Sequence, residues 1–87
     1  MRAEDILPDA VNEAAFDGMR VRKGSVAAFL ANARLLVDDA APAATRAEAE
    51  AHIAELVPAL MALGLFDVLE IRDPRVAAVV ARHTPRP

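Results

Sequence analysis

Apolar residues recur at helical spacing through residues 24–39, where Val26, Phe29, Leu30, Ala33, Leu36 and Val37 form one stripe uninterrupted by Pro or Gly. Such a stripe predicts a central helix against which other segments pack. Ser25 stands at its start, where a hydroxyl can accept from a free N–H of the first turn. A second stripe of Ile53, Leu56, Val57, Leu60, Met61 and Leu63 predicts another long helix. Thr45 opens it with Glu48 three residues on, the spacing of a capping box, and Gly64 is its natural C-terminal stop. Pro58 lies inside and should kink or split it, because the carbonyl of Ala54 loses its partner. Residues 40–44, with Pro42, read as the loop between the two helices.

The flanks are less regular. Residues 5–16 read as a short helix with Asp5 as cap, Pro8 in the first turn and Ile6, Leu7, Val11, Ala14 and Ala15 on one side. The competing reading makes Glu13–Phe16 a strand. Asp17-Gly18 is the clearest turn, since both central residues of a tight hairpin turn need positive φ. Met19–Arg22 then alternates as a short strand, with Met19 and Val21 on one face and Arg20 and Arg22 on the other. Leu65 and Phe66 should be buried beneath the helix ends. Residues 68–71, Val-Leu-Glu-Ile, read as a second strand able to pair with Met19–Arg22. Asp73-Pro74 is a clean helix start, Val76, Val79 and Val80 give the last stripe, and residues 83–87 read as a tail, frayed over 84–87. The expected architecture is mainly α (α+β): three to four short helices packed together with a small two-stranded β ribbon, in one domain spanning 1–87.

Composition sharpens this picture in two ways. The chain has 87 residues, 55% of them hydrophobic, with no Trp or Tyr and three Phe, so Leu, Val, Ile, Met and Ala must build the core. It has no cysteine, so neither a disulfide nor a thiolate metal site is available, which fits a reducing compartment. A net charge of −3 makes it a poor general binder of nucleic acid. No apolar run approaches the roughly 20 residues that cross a bilayer. The first residues carry acids where a signal peptide has an apolar core, so a soluble cytoplasmic protein is expected.

Candidate chemistry is sparse. Glu48, His52 and Glu55 lie at helical neighbour spacing and suggest a metal or acid–base site, but His-x-x-Glu offers too few ligands from one helix, and a solvated face accounts for them better. Asp38 and Asp39 supply too few oxygens for a divalent cation and read as exposed residues at a helix end. Arg20, Arg22 and Lys23 form the one basic cluster, and with Gly24 and Ser25 they are the candidate anion-binding residues, next to the N–H groups opening the central helix. Set against this, three basic residues without aromatics in an acidic chain also make a polar outer ribbon face. Ser25 has no histidine nearby in sequence, His83 stands alone near the end, and no phosphate-binding glycine motif is present. The expectation is a non-catalytic chain with no metal or other cofactor.

Asp17-Gly18, the run Gly24-Ser25-Val26-Ala27-Ala28-Phe29-Leu30, and the stretch from Val57-Pro58 to Gly64-Leu65-Phe66-Asp67 resemble the pattern of a family of small uncharacterised bacterial proteins. In that pattern an Asp-Gly turn leads through a short strand into a Gly-Ser/Thr-Val-Ala-Ala helix, and a Pro-containing helix ends in Gly-Leu-Phe. The resemblance covers about half the chain and implies a fold without an assigned activity. With so much Leu, Val, Ile and Ala on short elements, the leading expectation is an interaction module, binding itself as a homodimer or another protein. An anion- or nucleic-acid-binding accessory role through the basic cluster is the alternative.

Overall fold

The computed structural model describes residues 1–6 and 10–85. In chain order the elements are α1 (Ala3–Ile6), β1 (Glu13–Phe16), β2 (Met19–Arg22), α2 (Ser25–Leu36), α3 (Ala43–Leu63), α4 (Leu65–Val68) and α5 (Pro74–His83). It is a small α+β fold: three longer helices, two single helical turns and a two-stranded antiparallel sheet, among the described residues.

The core forms where three apolar stripes meet. Ile53, Val57 and Leu60 of α3 are fully buried between Phe29 of α2 and Val76, Val79 and Val80 of α5. Removing a side chain of this size from water contributes about 1.5–3 kcal/mol, so these positions carry much of the stability. Ala49, also buried, keeps the N-terminal half of α3 slim. Val21 of β2 is buried too, and β2 packs against α3, so the hairpin is anchored through its second strand. Arg82 on α5 pairs with Glu50 on α3 at the surface.

The hairpin forms where its turn directs. Asp17 and Gly18 take φ of 50° and 80°, the two positive values the turn demands, and Phe16 faces Met19 across it. Pairing then runs through Ala15↔Arg20 and Ala14↔Val21 to Glu13↔Arg22. This overturns the helix expected over 5–16. Its C-terminal end is strand β1, as the competing reading had it. Its N-terminal end is a single turn, α1, in which Asp5 is an interior residue accepting from the Arg2 N–H (2.9 Å) and not a cap. Leu7 and Pro8 lie outside the described residues. Helix propensity in Glu-Ala-Ala-Phe is overridden because β2, held on α3, offers that backbone a ladder of partners.

The partner expected for β2 at residues 68–71 is likewise corrected. Leu65–Val68 is helical turn α4, Leu69 is extended (φ −113°, ψ 139°), and residues 69–72 pair with no strand among the described residues. β1 occupies β2 because a two-residue turn delivers it at once, whereas residues 68–71 would close a much longer loop.

Helix ends depart from expectation at three places. Gly24 (φ 90°) is the residue before α2, and Ser25 lies inside the first turn, its hydroxyl donating backward to the Arg22 carbonyl (2.7 Å). α3 starts at Ala43, two residues before Thr45, with the Pro42 carbonyl accepting from the Arg46 N–H (3.1 Å), so the Thr45/Glu48 capping box does not form. The extended ψ of Pro42 (148°) already positions that carbonyl at the helix mouth. α3 continues through Pro58 rather than splitting there. The remaining signals fall where the spacing places them: Gly64 ends α3 at φ 86°, and Asp73 caps α5 by accepting from the N–H groups of Arg75 (2.8 Å) and Val76 (3.4 Å). His83 closes α5 instead of opening a tail. Thr84 donates its hydroxyl to the Val80 carbonyl (2.7 Å), and 86–87 lie outside the described residues.

Candidate functional site

Gly64 turns the chain sharply at the end of α3, and α4 with the extended residues 69–72 then passes alongside α2. The two do not close on each other. Between them lies an open groove of about 380 Å³. Its floor is Phe29 and Val76, and its walls are Val26 and Ala33 of α2 opposite Leu65 and Phe66 of α4. Phe66 meets Phe29 edge to face, with ring centroids 5.7 Å apart. Leu30 and Leu69 stand on the two lips, 52% and 57% exposed, and Val68 beyond them is 83% exposed. Two large apolar side chains kept largely in water on an apolar depression form the kind of patch that marks an interface.

Glu70, Arg72 and Asp73 are the charged residues that border the groove. Arg75 donates to Asp73 (3.4 Å) and also pairs with Asp39 (3.5 Å), tying the start of α5 to the loop after α2. The Arg75 side-chain hydrogen bond, and after it the N–H groups of Arg75 and Val76, hold the Asp73 carboxyl below its ordinary value, with desolvation opposing them. A second recess of about 350 Å³ opens on the other face of residues 69–71, between Met61, Phe66 and Val80. Residues 69–71 thus form an extended strap with an apolar hollow on each side.

The residues singled out in the sequence are elsewhere. Arg20 and Arg22 share the outer face of the hairpin, where Arg20 pairs with Glu13 (2.6 Å). Lys23 and Gly24 form the turn into α2, and the Ser25 hydroxyl is engaged by Arg22. Glu48, His52 and Glu55 are exposed along α3, and His83 is exposed at the end of α5. Among the described residues no three acidic or histidine side chains gather closely enough to hold a metal ion. Asp38 accepts from the Ala40 N–H (2.9 Å), and Asp39 is the partner of Arg75. Arg46 reaches inward with its Nε buried and unpartnered among the described residues.

Sequence reasoning counted Leu30 into the buried stripe of α2 and Leu69 into a paired strand. Both are groove lips instead. The available signal was the apolar surplus itself, too large for so short a chain to hide. No family model, curated protein or solved structure matches the chain. Among the described residues, no helix is long and apolar enough to cross a membrane.

Proposed function

We propose that this protein is a small, non-catalytic interaction module whose groove between α2 and residues 65–73 receives apolar side chains of a partner protein. The observation that carries this reading is the exposure of Leu30 and Leu69 on either side of a depression floored by Phe29 and Val76. About half of each leucine remains in water, so covering them recovers about 1 kcal/mol each for a docked partner. The groove has open ends and apolar walls, which suits a short amphipathic segment laid along it better than an enclosed small molecule.

A displayed peptide library panned against the protein tests the reading. Binders should be rich in Leu, Phe and Met, should shift the amide resonances of Leu30, Phe66 and Leu69, and should lose affinity at least tenfold against Leu30→Glu. Binders that are indifferent to Leu30→Glu, or that shift only the hairpin, refute it.

A further inference from the structure

We infer that strand β1 is a self-pairing edge, through which a second copy of this chain adds its own β1 antiparallel to form one continuous sheet, β2–β1–β1–β2, across a two-fold axis. The inference is independent of the groove.

The register of the hairpin says which backbone groups are left over. A two-residue turn makes Phe16↔Met19 a hydrogen-bonded pair, and such pairs alternate along an antiparallel ladder. Ala14↔Val21 is the next, and the hydrogen bond from Lys23 N–H to the Asn12 carbonyl continues the series. The N–H and C=O groups of Glu13 and Ala15 therefore point away from β2. Among the described residues the sheet has only these two strands, and no described residue pairs with β1 on that side.

The two edges of the ribbon are not equivalent. On the β2 edge, the outward carbonyl of Arg22 is already taken by the Ser25 hydroxyl at the entry to α2. A symmetric β2–β2 pairing would also set arginine opposite arginine, since Arg20 and Arg22 share one face. The β1 edge has neither obstacle. Its one charge, Glu13, is matched by Arg20 of the same chain, and its other side chains at the contact are two alanines.

Facing Glu13 with Glu13 would set like charges opposite, and facing Ala15 with Ala15 would bring Glu13 against the turn, so the axis falls at Ala14. With the axis at Ala14, Glu13 of each copy lies opposite Ala15 of the other, and each of these pairs exchanges N–H and C=O. Ala14 faces Ala14 as a non-hydrogen-bonded pair, where small side chains allow the closest approach. A sheet of only two strands has little stability of its own, so doubling it adds to what the packing of Val21 on α3 provides, and the contact is isologous and closed, so it stops at two copies.

The test is sedimentation equilibrium of the full chain from low micromolar to millimolar concentration, with four variants. The wild type should dimerise. Ala15→Pro deletes only an outward N–H and should give a monomer with the wild-type circular dichroism. Because the chain has no cysteine, Ala14→Cys should oxidise to a disulfide dimer, the facing Cα atoms of such a pair being about 4.5 Å apart, within the roughly 4.4–6.8 Å a disulfide spans. Ala15→Cys should oxidise at least tenfold more slowly. A wild type that is monomeric throughout overturns the inference, as does a dimer that survives Ala15→Pro or dissociates with Leu30→Glu. If Ala15→Pro fails to fold, the cysteine pair decides, and equal oxidation at 14 and 15 counts against the axis.

Discussion

Phe66 stands edge-on to Phe29, with centroids 5.7 Å apart and ring planes at 66°. The contact joins the buried centre of α2 to α4, the turn that follows α3, so it both closes the core and shapes the groove.

Substitutions at the two rings should separate those roles. Phe29 is buried, and Phe29→Ala should cost about 3–5 kcal/mol, a large share of the stability of so small a domain. Phe66→Leu keeps the volume half-buried but loses the edge contact, about 0.5–1.5 kcal/mol. Urea unfolding monitored by circular dichroism measures both. Equal losses would mean that Phe66 is as much a core residue as Phe29.

The Asp73 cap should make stability depend on pH in a definite direction. Its carboxyl titrates lower in the folded chain than in the unfolded one, so the folded chain binds the proton less readily. The resulting stabilisation is complete above the unfolded value and fades as pH falls through the folded value. Asp73→Asn should flatten that acid limb of the melting-temperature profile, and a limb of unchanged slope would assign it to other carboxylates.

Gly64 should resist replacement for reasons of backbone and not of space. A Cβ there would meet nothing closer than the Asp67 carboxylate at 3.7 Å, yet φ is +86°. Gly64→Ala should destabilise by about 1–2 kcal/mol, the penalty of the left-handed conformation for an L-residue. Because Gly64 sets the direction of α4, the same variant should broaden the amide resonances of Leu65 and Phe66.

Pro58 should act oppositely. It is exposed, within an uninterrupted α3, directly after the fully buried Val57. Pro58→Ala restores the N–H that can meet the Ala54 carbonyl and should raise the thermal midpoint, the difference between Pro and Ala in a helix interior being about 3 kcal/mol. A lower midpoint would show that the core of Val57 and Leu60 is built around the proline.

Much of this architecture is local and was therefore readable in residue order. Asp17-Gly18 admits a tight turn because of its own backbone preferences, Asp73-Pro74 opens a helix by capping chemistry, Gly64 ends one, and Ile53, Val57 and Leu60 declare a buried face by spacing alone. These follow from forces acting within a few residues. What the folded chain alone decided is every choice between equivalent local options. Glu13–Phe16 is a strand because β2 is held beside it, and residues 69–72 remain a strap because α4 carries them alongside α2. Phe29 is buried while its neighbour Leu30 is left in water. Burial on that boundary depends on which helix arrives opposite, and no periodicity along one segment records the position of another.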